Sequence, residues 1–531
     1  MNRKKNLRKT ALLLSALPLL TGCAGQESTA EYNIADWQEK STVRTEFNTS
    51  LDLTKKTAAQ SSVPADFSWV GQAEEAELTG VVQSVNVEFP DYQGEGYVGN
   101  FTNPADTVVF TVEVPADGVY DLSFNTCAGF ANTDKINPVT VDGQTVGSIT
   151  TKQGTSFTET PLQSVYLTGG THKIAAGTEW GYYFVDQLTV TAGTPIDSGI
   201  YNVTKALSDP DAFDNTKRLY KFLCDIYGRY TLTGQYCDKG KFGVENTLIN
   251  TETGHYPAIL GLDMLDYTPS RVELGGGTGK AVELAKDFYL NVGGIVTMSW
   301  HWNAPTAYLI NTGEHPWYSG FYKEHTTIDL DAIAAGTDEA GKAALISDID
   351  AICTAMEPLK EAQVPILWRP LHEAAGGWFW WGNCKPESYL WLWNLLYDKM
   401  VNEHGMHNLI WVWNGQDKAW YPGDATVDVV GTDIYAPEHS YASQSSAFTE
   451  LRSWIGENKL IALTENGVMP DPELIQRDNA VWCWFCTWSG EFVQEHNLAT
   501  EKYTEFSMWD KVYQSEDTLA LDDLPCLWTY E

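Results

Sequence analysis

Two glutamates in this sequence stand where acid and base chemistry could take place. Glu373 follows the run ILWRPLH, and Glu465 follows the run LIALT. A lone glutamate at a strand end is usually a surface charge or a helix cap, but two at matching positions can form the paired carboxyls of glycoside hydrolysis. The pair His372-Glu373 also suggests a zinc protease. The residue four positions after His372 is Gly376, so the H-E-x-x-H motif is absent.

The spacing of the two glutamates fits an eight-stranded (β/α)8 barrel. From about residue 215, apolar strand candidates alternate with helical stretches such as 343–360. Eight strands without a glycine-rich phosphate loop favour a TIM barrel over a doubly wound sheet. Glu373 and Glu465 would end the fourth and seventh strands. They are 92 residues apart, and three βα units predict about 94. The strand candidates are 231–236, 257–263, 293–300, 364–371, 408–414, 427–435, 460–465 and 480–488.

The fourth predicted strand also carries a cation. Arg369, Leu371 and Glu373 would share one face, because side chains alternate along a strand with a period of two. The guanidinium of Arg369 would then lie beneath the carboxyl of Glu373, where it could anchor that group or tune its pKa.

The residues at these strand ends resemble glycoside hydrolase family 26, which is best known for endo-β-1,4-mannanases. The resemblance implies a (β/α)8 catalytic domain, which we place at residues 194–531. It also implies a retaining double displacement, with Glu373 as the acid/base and Glu465 as the nucleophile. The motifs that carry it are Trp300-His301-Trp302, Trp368-Arg369-Pro370-Leu371-His372-Glu373, Gly376-Gly377-Trp378-Phe379-Trp380-Trp381-Gly382, Thr432-Asp433-Ile434-Tyr435, Thr464-Glu465 and Phe485-Cys486-Thr487-Trp488.

The same resemblance implies supporting roles at the site. Tyr435 would donate a hydrogen bond to the nucleophile and orient it. His372 would form a hydrogen bond with the sugar or with the region of the nucleophile. His301 would make a polar contact near the same subsite. Trp488 would stack beneath the sugar at the cleavage point, with Trp378 beside it. The resemblance implies no cofactor for the chemistry.

Composition narrows the range of partners. The chain has 34 Lys and Arg against 70 Asp and Glu, a net charge of −36, which repels nucleic acid, anionic lipid and uronate-rich polymers. The charge leaves neutral polysaccharides as partners, and the resemblance to family 26 implies internal cleavage of β-1,4-mannan, glucomannan or galactomannan. We also expect the protein to be a monomer. Two alternatives stay open. One is a β-1,3-xylanase or mixed-linkage β-glucanase of the same family. The other is a non-catalytic surface glycan-binding protein, against which the presence of both glutamates argues.

Residues 73–193 predict a separate all-β, jelly-roll-like sandwich. Val108, Phe110, Val112 and Val114 alternate with polar or outward residues, turn signals recur at short intervals, and no amphipathic helix interrupts them.

This segment resembles carbohydrate-binding module family 35. The residues that carry the resemblance are Glu75-Ala76-Glu77, Gly96-Tyr97-Val98-Gly99-Asn100-Phe101, Trp180 and Asp186-Gln187-Leu188. The resemblance implies a structural calcium ion, which we place at Glu75, Glu77 and Asp186, and oxygen ligands suit that ion. Tyr97 and Trp180 are expected to stack on a sugar, with closure of the sandwich core as the alternative role.

The N-terminus has the pattern of an export signal. Basic residues precede the apolar stretch 11–20, and Leu20-Thr21-Gly22-Cys23 resembles the bacterial lipobox. We expect residues 1–23 to be a lipoprotein signal with Cys23 lipidated, so that the protein is exported and touches a membrane only through its lipid anchor. Residues 24–72 read as a polar linker. Cys483 and Cys486 are expected to be core residues, and disulfide pairing is left open.

Overall fold

The computed structural model of the chain describes residues 44–55, 60–80, 83–84, 88–178, 182–237, 243–277, 279–456 and 459–531. It has an N-terminal β-sandwich followed by a closed β-barrel surrounded by helices. The predicted fold classes are therefore confirmed. In the described parts of the chain, no helix combines the length and apolar character needed to cross a bilayer.

Alternating apolar residues build the sandwich. Along the strand 107–114, Val108, Phe110, Val112 and Val114 point into the core between two sheets, whereas Thr111 and Glu113 are exposed. One sheet has the order β3-β4-β11-β6-β9 with β1 paired to β11, and the other has the order β2-β5-β10-β7-β8. The strands are β1 (Ser68–Gln72), β2 (Glu77–Thr79), β3 (Gln83–Ser84), β4 (Val98–Gly99), β5 (Thr107–Val114), β6 (Gly118–Cys127), β7 (Lys135–Val141), β8 (Gln144–Thr151), β9 (Thr158–Leu167), β10 (Gly170–Ala176) and β11 (Phe184–Ala192).

Eight parallel strands close the barrel in sequence order, and the last strand pairs back to the first through Gln235 and Thr487. Each overlaps one of the eight predicted strands. They are β13 (Gly234–Tyr236), β14 (Ile259–Asp263), β15 (Ile295–Trp300), β16 (Ile366–Pro370), β17 (Leu409–Trp413), β18 (Val429–Ile434), β19 (Leu460–Asn466) and β20 (Phe485–Thr487). Outside the barrel, β12 (Thr231–Leu232) pairs with β23 (Thr518–Leu519), and β21 (Gln494–Glu495) pairs with β22 (Leu498–Ala499).

Helices cover the barrel because their apolar faces pack on the strands. In the longest, Leu345, Ile349, Ile352, Met356 and Leu359 are all buried, as their helical spacing predicts. The α-helices are α1 (Asp214–Ile226), α2 (Val244–Thr253), α3 (Pro269–Glu273), α4 (Ala281–Asp287), α5 (Leu330–Ala334), α6 (Glu339–Glu361), α7 (Pro386–Tyr397), α8 (Ser445–Trp454), α9 (Pro472–Arg477) and α10 (Phe506–Gln514).

The segment expected to be a polar linker contributes to both domains. Its last residues form β1, which pairs with β11, so the sandwich begins five residues earlier than expected. Residues 44–55 lie on the barrel: the guanidinium of Arg44 donates to the carbonyls of Leu521 and Leu524 at 2.7 and 2.9 Å, and Phe47 packs edge-on against Trp528. Backbone hydrogen bonds and a half-buried aromatic ring give these residues a fixed place that polar composition did not indicate.

Strand β12 lies directly before the first barrel strand, at the amino end of the barrel, and β23 pairs with it. Because Arg44 binds residues that follow β23, the N-terminal segment contacts the end of the barrel opposite to the carboxyl ends of the strands. The cysteines of the described residues are all free thiols, and Cys483 and Cys486 are buried in the core as expected. Cys23 lies outside the described residues.

Candidate active site

Glu465 stands near the carboxyl end of β19 and is held by two donors. The hydroxyl of Tyr435 donates to its Oε2 at 2.6 Å, and the guanidinium of Arg369 pairs with its Oε1. Burial raises the pKa of Glu465 to about 7, and Arg369 and Tyr435 both oppose that rise. Their contacts favour the ionised carboxylate that a nucleophile requires.

The period of two along the strand predicts that Arg369 lies beneath Glu373. The structure shows that it does not. The strand β16 ends at Pro370, and both Leu371 and Glu373 adopt left-handed backbone conformations, with φ of 52° and 54°. The alternation of side chains therefore stops before Glu373. The fully buried guanidinium of Arg369 instead reaches across the barrel toward Glu465.

A network of buried groups holds that guanidinium in place. Arg369 donates to Oδ2 of Asp433 at 3.0 Å and to the hydroxyl of Tyr236 at 3.1 and 3.2 Å. Oδ1 of Asp433 in turn accepts a hydrogen bond of 2.7 Å from Thr464. Removing one member would leave a buried charge without its partner, and the guanidinium is therefore a rigid support for the nucleophile.

Glu373 occupies a different electrostatic environment. Its backbone N–H donates to the carbonyl and to Oδ1 of Asn414, at 2.8 and 2.9 Å, which fixes the turn after β16. The indole N–H of Trp378 donates to Oε2 of Glu373 at 3.0 Å, and no cation pairs with this carboxyl among the described residues. Burial raises the pKa of Glu373 well above its usual value, and the charges of Asp433 and Glu465 raise it further. Glu373 is therefore suited to hold the proton of a general acid.

The two carboxyls lie close together. One carboxylate oxygen from each of Glu373, Asp433 and Glu465 lies within 4.8 Å of the other two. Retaining glycosidases place their two carboxyls about 5–5.5 Å apart, whereas inverting enzymes leave room for a water molecule at about 6.5–9.5 Å. Such an oxygen cluster could also hold a metal ion. In this site the guanidinium of Arg369 supplies positive charge to two of the three carboxylates.

Two buried histidines lie beside these carboxyls. The rings of His301 and His372 are 4.6 Å apart, and Nδ1 of His301 lies 2.5 Å from Oδ2 of Asp263. Burial lowers the pKa of His372 well below its usual value, and Arg369 and His301 lower it further. His372 is therefore neutral and can exchange hydrogen bonds with hydroxyl groups without carrying charge.

Aromatic rings pack around the two histidines. Trp488 packs against Tyr236 at 4.8 Å and faces His301 at 5.9 Å, and it keeps 7% of its surface exposed. Tyr322 stacks on Phe379 at 5.7 Å. Burial and then the charge of Glu373 raise the pKa of Tyr322 to about 12. Flat faces beside the carboxyls suit the rings of a sugar chain.

Sequence reasoning left three polar residues of this site without a role. Asp433 was visible within the motif Thr432-Asp433-Ile434-Tyr435, but its pairing with Arg369 was not. Asn414 directly follows β17, and Asp263 ends β14. A search for polar residues at the end of every barrel strand would have found both, because chemistry in such barrels gathers there.

Comparison with known proteins agrees with this geometry. The model of the family described as "Glycosyl hydrolase family 26" matches residues 208–521, more than half of the chain. The chain belongs to glycosyl hydrolase family 26. A family model described as "Carbohydrate binding module (family 35)" matches residues 69–193.

Relatives of this family 26 protein match most of the chain. A mannan endo-1,4-beta-mannosidase of Thermothelomyces thermophilus is 37% identical over 471 residues, which cover 88% of this chain and 92% of the relative. Mannan endo-1,4-beta-mannosidase B of a Piromyces species is 34% identical over 86% of this chain and 77% of its own length. The crystal structure of a Podospora anserina GH26-CBM35 beta-(1,4)-mannanase matches with a TM-score of 0.60 and 37% identity, over 87% of this chain and 100% of that one.

The sandwich module contains two residues that were predicted to stack on a sugar, Tyr97 and Trp180. Tyr97 is only 1% exposed and packs against Phe157 and Tyr92, with ring centroids 4.8 and 5.5 Å away. Its hydroxyl accepts a hydrogen bond from the backbone of Phe89. The prediction that Tyr97 stacks on a sugar is therefore corrected, because neighbouring rings bury its side chain. Trp180 lies outside the described residues.

The structure also separates the predicted calcium ligands. Glu75 is exposed, and Glu77 lies in the sheet opposite to that of Asp186, where it pairs with Lys173 at 2.7 Å. Neither reaches Asp186, because the chain crosses from one sheet to the other between β1 and β2. This part of the prediction is corrected.

Two other oxygens lie in the place expected for calcium ligands. Oε1 of Gln72 and Oε2 of Glu74 are buried with no hydrogen-bond partner among the described residues. A Cβ atom placed on Gly94 would lie 2.7 Å from Glu74 and 3.0 Å from Gln72, so the two side chains meet at this glycine. Asp186 is buried beside them: burial raises its pKa, and the charge of Glu74 contributes to that rise. Unsatisfied buried oxygens next to a buried carboxylate fit a hard cation.

An open cavity lies on the surface of the module near its exposed rings. It has a volume of about 370 Å³ and is bordered by the rings of Phe89, Phe130, Tyr182 and Phe184 and by Lys135. Phe130 is 77% exposed and Tyr182 is 68% exposed. Exposed rings grouped beside one cavity form the kind of apolar patch found at ligand-binding sites. Sequence reasoning missed both, because neither breaks a strand pattern.

Proposed function

We propose that the protein is a retaining endo-β-1,4-mannanase that hydrolyses internal bonds of mannan, glucomannan or galactomannan. The observation that carries the mechanism is the pair Glu373 and Glu465, whose carboxylate oxygens approach within 4.8 Å in two different environments. The substrate class rests on relatives whose names state endo-acting β-1,4-mannan hydrolysis and which cover most of this chain.

The reaction follows from the environments of the two carboxyls. Glu465, ionised beside Arg369 and Tyr435, attacks the anomeric carbon while Glu373 gives its proton to the leaving oxygen. A covalent glycosyl-enzyme forms. Glu373, now ionised, takes a proton from a water molecule, which attacks the anomeric carbon and releases Glu465. The configuration at that carbon is inverted twice and so retained.

The stereochemistry of the product tests this reaction. The first product in a proton NMR time course should be the β-anomer. Glu465→Ala should abolish turnover without unfolding the protein, and azide should restore part of the activity of Glu373→Ala on an activated aryl glycoside, because it replaces the missing base step. An α-anomer as first product would refute the double displacement.

The choice of polysaccharide is tested separately. Hydrogen bonds to the sugar 2-hydroxyl tighten in glycosidase transition states, and this hydroxyl is axial in mannose and equatorial in glucose. We expect short oligosaccharides to accumulate from glucomannan and galactomannan, with weak or no action on β-1,3-xylan. Faster hydrolysis of barley-type β-glucan would favour a mixed-linkage β-glucanase instead.

The module binds the same class of polysaccharide through its surface cavity, where Phe130 and Tyr182 offer exposed rings for stacking. In the inactive Glu465→Ala background, Phe130→Ala should weaken retention on insoluble mannan. Ile136→Ala, which removes another exposed apolar side chain of the module, is the matched control. Equal retention of the two variants would remove this assignment.

A calcium ion stabilises the module at Gln72, Glu74 and Asp186. A chelator should therefore lower the melting temperature of the wild-type protein, because a ligand that binds only the folded state stabilises that state. The chelator effect should disappear in Glu74→Gln and persist in Glu77→Gln, whose carboxylate pairs with Lys173. No chelator effect in the wild type would refute the calcium site.

The protein is exported and held at a membrane through lipid on Cys23, and it acts as a monomer. The support is the basic and apolar order of residues 1–23 with a lipobox-like ending. Cys23→Ser should move the protein from the membrane fraction to the soluble fraction, and unchanged fractionation would indicate an ordinary signal peptide. Sedimentation at micromolar concentration would detect a dimer if one forms.

A further inference from the structure

Asp263 is a carboxylate at the edge of the active site with every lone pair directed at a neighbour. Its Oδ2 accepts hydrogen bonds from Nδ1 of His301 at 2.5 Å and from the hydroxyl of Ser299 at 2.8 Å. Its Oδ1 accepts from the backbone N–H groups of Leu265 at 2.7 Å and of His301 at 3.2 Å. Burial raises the pKa of Asp263, but His301 and the other donors outweigh that effect and lower it to about 2. The carboxylate is therefore ionised across the range in which enzymes work.

An ionised carboxylate at this position dictates where the proton of His301 sits. A carboxylate only accepts hydrogen bonds, so Nδ1 of His301 must carry a proton. In the neutral imidazole Nε2 then keeps a free lone pair and acts as an acceptor. Nε2 makes no hydrogen bond to any residue that the structure describes.

The ring of His301 is also fixed in orientation. The rings of His372, Phe321, Phe379 and Trp488 surround it, with centroids 4.6, 5.1, 5.5 and 5.9 Å away. Three of these contacts are edge-on, so a rotated His301 ring would collide with its neighbours.

We propose that Asp263 is a positioning residue that sets the tautomer of His301, so that Nε2 accepts a hydrogen bond from a hydroxyl of the sugar at the cleavage point. The carboxylate does not touch the sugar. It acts through His301, much as a carboxylate behind a histidine fixes the tautomer in other enzymes. This inference rests on the proposed glycosidase function for its consequence, but the tautomer itself does not depend on any substrate.

The test begins with Asp263→Asn in the full-length protein. The asparagine amide can donate to Nδ1, which would move the proton of His301 to Nε2 and turn that atom into a donor. We expect kcat on mannopentaose to fall about 10- to 100-fold. KM should stay within about threefold, because a contact that tightens in the transition state affects kcat and kcat/KM together. Asp263→Glu, which restores a carboxylate, should recover part of the rate.

Two controls separate positioning from a loss of structure. Ser299→Ala removes another donor to the same oxygen of Asp263 but leaves the His301 contact, so its rate should change less than about threefold. In a His301→Gln background, Asp263→Asn should cost less than about threefold further, because the two residues act as one unit. Additive losses in this cycle would overturn the proposal.

The tautomer is read without substrate. Nitrogen-15 NMR of histidine-labelled protein distinguishes protonated from unprotonated ring nitrogens, and His301→Gln identifies the signals of His301. The wild type should show a protonated Nδ1 and an unprotonated Nε2, and Asp263→Asn should reverse them. A wild type with a protonated Nε2 refutes the proposal even if mannan is hydrolysed. The predicted tautomer in a protein that does not cleave mannan would instead refute the proposed substrate.

Discussion

Removing the hydroxyl of Tyr435 tests how the nucleophile is kept ionised. In Tyr435→Phe the ring remains, packed against Phe492 at 5.2 Å, and only the hydrogen bond of 2.6 Å to Oε2 of Glu465 is lost. The guanidinium of Arg369 still pairs with Oε1. The substitution therefore changes one stabilising contact of the carboxylate while its ion pair stays intact.

The size of the effect follows from the strength of that contact. A hydrogen bond to a charged group contributes about 1.5–3 kcal/mol, and each 1.36 kcal/mol corresponds to a factor of ten or to one pKa unit. The pKa of Glu465, which burial raises to about 7, should therefore rise by about 1–2 units. At neutral pH we expect kcat/KM to fall about 10- to 150-fold, because less of the nucleophile is ionised and what is ionised is less well oriented.

The pH dependence of kcat/KM is the decisive assay. The acidic limb of the profile reports the ionisation of the nucleophile in the free enzyme, so it should move to higher pH in Tyr435→Phe, and part of the lost rate should return as the pH rises. Tyr441→Phe, a tyrosine outside the site, serves as the control. A uniform loss of rate with an unmoved acidic limb would refute the reasoning.

Three further predictions concern charge and packing. Glu373→Gln should abolish hydrolysis, yet raise the melting temperature at pH 8 and leave it nearly unchanged at pH 4. The pKa of Glu373 in the folded protein is raised well above 4.5, so the wild type loses stability as the pH rises, whereas the variant with the neutral amide does not. Equal changes of melting temperature at pH 4 and pH 8 would contradict this. Trp378→Phe removes the indole donor to Glu373 and should lower kcat/KM about fivefold while moving the basic limb upward, and an unmoved limb would count against it. Arg44→Ala should lower the free energy of unfolding by about 1–2 kcal/mol in a denaturant titration, with the exposed Lys173→Ala as control, and an unchanged midpoint would mean that residues 44–55 only rest on the barrel.

The sequence by itself determined the elements and the identity of the two carboxyls. The strands of the barrel and sandwich follow from apolar periodicity, which is a local property and survives in a single sequence. Because parallel barrel strands end on one face, polar residues directly after apolar runs could be assigned to a common site without knowing any distance. That argument placed Glu373 and Glu465 together.

Residue partners across the molecule could not be obtained in this way. Alternation predicted Arg369 under Glu373, but the chain leaves the strand at Pro370 and turns through left-handed residues, so the guanidinium pairs with Glu465 and Asp433 instead. Which carboxyl is supported by a cation depends on closure of the barrel, which brings strands four and seven face to face. No local pattern contains that information.

The module and the N-terminal segment give the same lesson on a smaller scale. Glu75 and Glu77 look as suitable for calcium as Glu74, and only the crossing between the two sheets decides that Glu74 meets Asp186. Tyr97 has an aromatic ring that could stack on a sugar, but neighbouring rings bury it. The polar composition of residues 44–55 predicts a spacer, but Arg44 donates to three carbonyls at the end of the barrel opposite to the active site. Sequence patterns report what each residue can do, and tertiary contacts between distant segments decide which of those possibilities is used, because burial and pairing depend on neighbours that are remote in the chain.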